Sequence, residues 1–134
     1  MIRATADTNV YISALHFGGL PRQFLIAAHH KRFELSISPP IMDETQRILR
    51  EKFSWAEGTL QRQMLRLSHI TRMVYPAQTF DAVPTDADDN RILECAAQAR
   101  ASFIVTGDND LLRLGSFQTI RMLRVAEFMA LLPT

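Results

Sequence analysis

The sequence predicts an α/β fold, in which a mainly parallel β-sheet is covered by helices on both faces. Two observations predict it. Short segments rich in β-branched residues alternate along the chain with segments of helical periodicity. Most successive strands are separated by about a dozen residues or more, the length that a crossover between parallel strands needs. The chain has 134 residues and no evident repeat or linker, so we expect one domain over residues 1–134.

The first half of the chain begins with a strand over residues 2–6. Three polar residues follow it and can cap a helix over residues 10–17. Two glycines end that helix, and a proline opens a second helix over about residues 21–30. Residues 33–38 alternate between polar and apolar types as a strand does, and two prolines separate them from a helix over residues 41–53.

The second half of the chain repeats this alternation. Strands are predicted over residues 70–75, 102–106 and 120–123. Helices are predicted over residues 54–68, 87–100, 108–114 and 125–132. Thr85 and Asp86 can cap the helix that begins at residue 87. The alternation therefore supports a parallel sheet between two layers of helices.

The charged residues are the part of the composition that points to a ligand. The formal net charge is only +1, and the hydrophobic (47%) and charged (22%) fractions are those of a globular protein. Thirteen of the 15 basic residues are Arg, whose planar guanidinium suits phosphate. The single cysteine, Cys95, cannot form an internal disulfide, and no run approaches the roughly 18 apolar residues of a membrane span. With no secretory leader, we expect a cytoplasmic protein.

Four carboxylates are predicted to lie at one edge of the sheet. Asp7 follows the first strand and Asp108 follows the strand over residues 102–106, and the carboxyl ends of parallel strands share the ligand-binding edge of an α/β sheet. Asp89 lies in the first turn of its helix, on the apolar face, so it points inward. Glu44 lies beside the apolar stripe of its helix and can reach the same edge.

These residues also have a purely structural interpretation. Asp7, Asp86 and Asp108 each precede or open a helix, where Asp is a common N-cap. A charged residue beside an apolar stripe, as Glu44 is, is more often a solvated flank of its helix than a ligand. Capping does not explain why Asp89 and Glu44 point toward the edge that holds Asp7, where unpaired carboxylates would repel one another. A divalent cation resolves the repulsion, and all-oxygen ligands favour Mg²⁺ or Mn²⁺ over zinc.

The other chemically reactive residues form no recognisable site. The four histidines share no metal-ligand spacing, and Cys95 lies among small residues, which indicates a packing role. No glycine-rich loop for phosphate groups is present. Thr8, Asn9 and Thr106 are interpreted either as caps alone or as hydrogen-bond partners of the carboxylates.

The acidic segments, taken in order, resemble those of the PIN-domain ribonucleases. These segments are Asp7-Thr8-Asn9-Val10, the helix that contains Glu44, residues 86–90 and residues 106–112. The likeness extends over nearly the whole chain, including residues 125–128, and is closest to the branch described as toxins of bacterial toxin–antitoxin systems. It implies a parallel sheet of four or five strands and an acidic pocket that binds one or two Mg²⁺ or Mn²⁺ ions.

The resemblance also implies roles for single residues and for partners. The four acidic positions of the family are matched by Asp7, Glu44, Asp89 and Asp108. Accessory acidic groups are Asp86 and Asp110, and polar supports are Asn9 and Thr106. Members similar to this chain commonly form homodimers and are silenced by a small antitoxin. A segment of that antitoxin enters the acidic pocket, often with a basic side chain.

The expected reaction is hydrolysis of RNA. No Ser, Cys or His is arranged as a nucleophile, so we expect water to attack the phosphodiester. Metal binding lowers the pKa of that water and neutralises charge on the phosphoryl oxygens. Candidates for phosphate contacts, each of which can also belong to a solvated helix face, are Arg47, Arg50, Lys52, Arg62, Arg66 and Arg72.

Two other function classes remain open from the sequence. A phosphoaspartyl enzyme or receiver domain also gathers carboxylates at strand ends, but it uses one Asp as a nucleophile and usually a nearby Lys. Lys31 and Lys52 follow no suitable strand. A non-catalytic RNA- or protein-binding module has no need for four carboxylates at one edge of the sheet. Metal-dependent cleavage of RNA would distinguish the three classes.

Overall fold

Strands and helices alternate along the chain. The structure is a computed structural model, and it describes residues 1–82 and 87–133. The strands are β1 (Arg3–Ala6), β2 (Glu34–Ile37), β3 (Arg72–Met73), β4 (Phe103–Val105), β5 (Ser116–Phe117) and β6 (Ile120–Leu123). The α-helices are α1 (Thr8–Ile12), α2 (Gly19–His29), α3 (Pro39–Glu51), α4 (Glu57–Ile70), α5 (Ala87–Ala99), α6 (Asn109–Leu114) and α7 (Val125–Leu131). A π-helical segment, Ser13–Phe17, continues α1.

The strands form one mainly parallel sheet in the order β3-β2-β1-β4-β6-β5. The central strand β1 pairs in parallel with β2 and β4, whereas β5 pairs with β6 in the antiparallel direction. Ala4, Thr5 and Ala6 of β1 are all buried. Because successive residues of a strand point to opposite faces, both faces of the sheet are covered. The predicted α/β fold class is confirmed.

The sheet contains one strand beyond the five predicted along the chain, and so exceeds the four or five strands that the resemblance implies. Six strands are present in the described residues, and the additional one is β5, which has two residues. β5 and β6 form a tight hairpin, and Gly115 and Gln118 beside it have φ angles of 76° and 55°. A strand of two residues has no alternation, so hydrophobic periodicity does not predict it.

The first helix changes type along its length. The sequence predicts one helix over residues 10–17, whereas α1 begins two residues earlier and becomes π-helical at Ser13. Asp7 is its N-cap, because the Asp7 Oδ1 accepts a hydrogen bond from the Val10 amide at 3.0 Å. The Gly18 amide donates to the Ser13 carbonyl at 2.8 Å, the spacing of a π-helix. Gly18, with a φ of 89°, ends the segment.

Most other differences lie at the ends of elements. α3 begins at Pro39 rather than at residue 41, because a proline in the first helical turn needs no acceptor for its nitrogen. α4 begins at Glu57 rather than at residue 54, since Ser54 has a φ of 53°, outside the helical region. α4 also extends to Ile70, so β3 keeps only two residues of the strand predicted over residues 70–75.

Apolar side chains from the helices and the sheet form one core. Phe24 of α2, Phe33 and Phe128 of α7 are almost fully buried, and their ring centroids lie 4.8 to 5.5 Å apart. α5 packs across β1, β2 and β4. That packing fixes the first turn of α5 relative to the ends of the central strands. No helix in the part of the chain that the structure describes is both long and apolar enough to cross a membrane.

Candidate active site

Asp7 lies directly after β1 and is buried, with 3% of its surface exposed. Its amide donates to the Val105 carbonyl at 3.1 Å, which extends the pairing of β1 with β4. Its carboxylate accepts hydrogen bonds from the Val10 amide and from the Thr106 hydroxyl. A carboxylate has about four lone-pair positions, so these two bonds leave Asp7 with capacity for a further ligand.

Thr106 connects Asp7 to Asp108. It directly follows β4, is fully buried, and its amide donates to the Leu123 carbonyl at 2.9 Å. Its hydroxyl donates to Asp7 Oδ2 and accepts from the Asp108 amide at 2.9 Å. Asp108 Oδ1 in turn accepts from the Asp110 amide at 2.9 Å and caps α6. A continuous chain of hydrogen bonds therefore runs from the end of β1 to the first turn of α6.

Three carboxylates converge at this point. Asp89, Asp108 and Asp110 each offer an oxygen, and these oxygens lie within 4.8 Å of one another. Asp89 is 4% exposed, whereas Asp108 and Asp110 are half-buried, and Asp110 also pairs with Arg113 at 3.2 Å. Oxygens bound to one Mg²⁺ are about 3.0 Å apart when adjacent and about 4.2 Å apart when opposite, given a Mg–O distance of about 2.1 Å. Side-chain rotations that bring the three oxygens closer together would therefore fit the cluster to such an ion, and its all-carboxylate chemistry suits a hard cation.

Glu44 faces a different pair of residues. It is half-buried on α3, and its Oε2 accepts from the Thr8 hydroxyl at 3.3 Å. Its charged neighbours are Asp88, in the first turn of α5, and more weakly Arg47 on α3. Within the described residues, the three-carboxylate cluster includes neither Glu44 nor Asp7. The acidic residues thus form two groups, one of Asp89, Asp108 and Asp110 and one of Glu44 and Asp88. Asp88 and Asp89 are neighbours in the chain and connect the groups on α5. Asp7, which is linked to Asp108 through Thr106, and Thr8, which bonds to Glu44, connect them at the start of α1.

Burial and mutual repulsion raise the pKa of two of these carboxyl groups. Desolvation raises the pKa of Asp7, the charge of Asp108 adds to the shift, and the Thr106 hydroxyl opposes it. Desolvation also raises the pKa of Glu44, and the charge of Asp88 adds to it. Both shifts show that the charged form of these carboxyl groups is costly at this place, chiefly because of burial and secondly because of a neighbouring carboxylate. A bound cation would reduce this cost.

The remaining predicted site residues are exposed or lie outside the described residues. Asn9 is exposed in the first turn of α1, and Asp86 lies outside the described residues. The predicted phosphate contacts, all exposed, are Arg47, Arg50, Lys52, Arg62, Arg66 and Arg72. Three of these side chains form ion pairs with Glu51, Glu57 and Glu34. The other three, Lys52, Arg62 and Arg66, form no ion pair with a residue in the described part of the chain.

Asp88 is the residue of this region that sequence reasoning did not select. Asp88 and Asp89 are neighbours on α5, about 100° apart around the helix axis. The apolar face of the helix, which the sequence pattern indicates, carries Asp89 and not Asp88. The approach of Asp88 to Glu44 depends on the packing of α3 against α5, which no local pattern in the sequence reveals.

The order of these elements and acidic residues agrees with a known family. Residues 3–110 match the model of the PIN domain. The matched range begins with β1 and includes Asp7, Glu44, Asp89 and Asp108. None of the curated proteins compared with the chain matches it. PIN domains are generally nucleases and typically bind divalent metals. The parallel sheet, the carboxylate cluster and the matched range together show that the chain belongs to the PIN domain family.

Proposed function

We propose that the protein is a Mg²⁺- or Mn²⁺-dependent endoribonuclease, which hydrolyses phosphodiester bonds of single-stranded RNA. The observation that carries the proposal is the convergence of oxygens from Asp89, Asp108 and Asp110 within 4.8 Å, in a PIN domain. Phosphodiester hydrolysis requires an activated water molecule and neutralisation of charge on the phosphoryl oxygens. A divalent ion held by these carboxylates supplies both.

In this proposal the residues of the chain hold and orient the reacting groups. The anionic oxygens of the cluster come from Asp89, Asp108 and Asp110. Asp7 and Glu44 complete the acidic site from the end of β1 and from α3. Thr106 is a positioning residue, since its hydroxyl binds both the Asp7 carboxylate and the Asp108 amide.

The environment of Cys95 disfavours a covalent mechanism through its thiol. The thiol is fully buried in α5, and burial raises the pKa of Cys95 to about 11. The group is therefore protonated near neutral pH and is a poor nucleophile. Water is accordingly the proposed attacking group.

Cleavage of labelled single-stranded RNA tests the proposal, with Mg²⁺ or Mn²⁺ added and with EDTA as the reference condition. We expect chelation to abolish cleavage. Asp89→Asn and Asp108→Asn should each reduce cleavage by roughly 100-fold or more, because each removes a charge that the cation requires. Asp43→Asn is the matched control, since Asp43 is an exposed carboxylate one residue before Glu44.

Several results would contradict the proposal. Cleavage that EDTA leaves unchanged would exclude a dependence on divalent metal. Cleavage that is lost in Cys95→Ala but kept in Asp7→Asn would indicate a thiol nucleophile. Transfer of a labelled phosphoryl group to the protein itself would favour the phosphoaspartyl class instead.

We further propose that this nuclease is the toxin of a toxin–antitoxin pair, and that it acts in the cytoplasm as a homodimer. The support is the resemblance of its acidic segments to those of the toxin branch. A basic antitoxin side chain that enters the site would neutralise the negative charge that a metal cation otherwise neutralises. Induced expression should stop host growth, whereas Asp89→Asn at the same level should not. Normal growth with both proteins would contradict the toxin role and leave the nuclease assignment standing, and sedimentation as a monomer would contradict the dimer.

A further inference from the structure

A cluster of aromatic rings lies on the surface at the end of the π-helical segment. We call this cluster the aromatic platform, and its members are His16, Phe17, Phe53 and Trp55. The His16 ring centroid lies 4.7 Å from that of Phe17, 4.3 Å from that of Phe53 and 6.1 Å from that of Trp55. Phe17 is 70% exposed, so its ring contributes little to the core and presents most of its surface to solvent.

Two contacts relate the platform to the acidic site. The Thr8 hydroxyl bonds to Glu44 at 3.3 Å at the start of α1, and the ring of His16 lies against that of Phe53 near the end of the π-helical segment that continues α1. His16 is eight residues after Thr8, and Phe53 is nine residues after Glu44. The two helices therefore run side by side from the carboxylates to the platform. At an α-helical rise of about 1.5 Å per residue, the part of α3 from Glu44 to its end at Glu51 spans about 10.5 Å, so the platform just beyond it lies roughly 10 to 14 Å from Glu44.

The surroundings of the platform favour a polyanionic ligand. A groove of about 700 Å³ opens beside Trp55, between α2 and α4. Its titratable lining residues are Arg22, His29, Arg66 and His69, and the described lining contains no carboxylate. Lys52, next to Phe53 in the chain, forms no ion pair within the described residues. Aromatic rings beside cations are the combination that binds single-stranded nucleic acid, because bases stack on the rings while cations contact phosphates.

A hydrogen bond fixes two of the rings relative to each other. Trp55 Nε1 donates to His16 Nδ1 at 3.0 Å. His16 Nδ1 is therefore the acceptor of this bond, and the N–H of the ring that can donate is the one on Nε2. Because His16 is an exposed residue, this N–H can donate to a phosphate or base oxygen. The platform thus combines stacking surface with a hydrogen-bond donor.

We propose that the aromatic platform binds an unpaired base of the RNA substrate, with Phe17 as the stacking ring, a few nucleotides from the phosphodiester that is cleaved. The inference rests on the proposed nuclease function and specifies its substrate as a single strand that reaches from the carboxylates to the platform. A single strand covers that distance in about four nucleotides at a stacked rise of about 3.4 Å, and in fewer when extended. The bases of a duplex are paired and are not available to Phe17.

Trp55 serves as the reporter for the test, because it is the only tryptophan in the chain. Single-stranded RNA of about 12 nucleotides, within the usual site sizes for single strands, is titrated into the full chain in EDTA, and the change in Trp55 fluorescence gives the Kd. We expect Phe17→Ala to weaken binding at least about fivefold, the lower end of what one stacked base contributes. In Mg²⁺, cleavage of the same RNA should fall in parallel, whereas cleavage of a dinucleotide should not change.

Two control variants separate stacking from other effects. Tyr75→Ala should bind RNA as the wild type does, because Tyr75 is equally exposed, at 71%, but follows β3 rather than α1. Phe17→Tyr keeps an aromatic ring and should also bind as the wild type does. Phe17→Leu keeps an apolar side chain without the ring, and we expect it to bind as weakly as Phe17→Ala.

The outcomes distinguish the platform from the nuclease assignment. If the wild type cleaves RNA but Phe17→Ala binds it normally, the inference is overturned and the proposed function stands. If the wild type does not cleave RNA but Phe17→Ala still weakens binding, the proposed function fails and the platform stands. If Phe17→Ala dissociates a dimer in sedimentation and leaves the RNA affinity unchanged, the platform is a contact between copies of the chain and the inference is wrong.

Discussion

One buried hydroxyl, that of Thr106, sets the positions of two carboxylates. Thr106 is fully buried between β1 and β6, donates to Asp7 and accepts from the Asp108 amide. Without the hydroxyl, both of these groups would lose a partner in an environment that water does not easily reach. The residue thus connects the stability of the strand ends to the geometry of the site.

We expect Thr106→Val to lower the free energy of unfolding by about 2 kcal/mol, because a buried polar group left without a partner costs about 1–3 kcal/mol. RNA cleavage should fall by roughly 10- to 100-fold, as when the partner of a metal ligand is removed. Thr106→Ser keeps the hydroxyl and should restore both properties. Urea denaturation and the cleavage assay measure the two effects, and a fully active Thr106→Val protein would show that the hydroxyl has no positioning role.

Among the elements, α5 has two roles. It carries acidic residues in its first turn, and two of its side chains form hydrogen bonds with the backbone of residues 77–80. Glu94 is 7% exposed and accepts hydrogen bonds from the Phe80 amide at 2.8 Å and from Arg91 at 2.7 Å. Gln98, one turn further, accepts from the Ala77 amide at 3.0 Å. The stretch around residues 77–80 is thereby attached to the same helix that positions the carboxylates.

Glu94→Ala should lower the free energy of unfolding by about 1 to 3 kcal/mol, because the Phe80 amide loses its acceptor and Arg91 keeps, within the described residues, only the Phe80 carbonyl, at 3.5 Å. Glu94→Gln keeps a neutral acceptor and should cost about half as much. Urea denaturation measures both values, and proteolysis of residues 75–82 should become faster in the same order. Equal stability of the two variants and the wild type would show that this attachment contributes nothing.

The length of an element decides how well the sequence predicts it. α3 and α5 are long enough to show apolar periodicity, and Asp7 and Asp108 lie at the predicted edge because the strands before them were predicted correctly. The two-residue strand β5 and the π-helical segment give no distinct local signal. The approach of Glu44 to Asp88 and the assembly of the aromatic platform need contacts between distant segments, which periodicity does not encode.

For the whole molecule, the burial of carboxylates at one edge of the sheet, together with their mutual repulsion, opposes folding in the absence of metal. The pKa values of Asp7 and Glu44 are raised in the folded state, first by desolvation and then by nearby carboxylates, so these groups ionise more easily in the unfolded chain. The stability that the two groups contribute is fully present below their pKa in the unfolded chain, and it is lost as the pH rises through their raised pKa in the folded protein. Near neutral pH, a cation at the site should offset the cost of burying and of bringing together these charges.

Asp89→Asn keeps the shape of the site and removes one charge. In EDTA the variant should melt at or above the temperature of the wild type. The loss of the interaction between the Asp89 charge and the helix N-terminus can reduce the gain in stability by about 0.3 to 1 kcal/mol. Mg²⁺ at about ten times its Kd should stabilise the wild type by about 1.4 kcal/mol and the variant by much less. Thermal melts in EDTA and in Mg²⁺ measure these shifts. Equal Mg²⁺ shifts would show that Asp89 acts only at the start of its helix.

The two outermost strands of the sheet, β3 and β5, have two residues each. An edge strand exposes amide and carbonyl groups to which a strand of another chain can add, and a short edge offers few of them. Within the described residues, each side of the sheet therefore offers only a short template for strand addition. We expect a second copy or an antitoxin that associates with this protein to do so through side chains on its helices and loops rather than by extending the sheet.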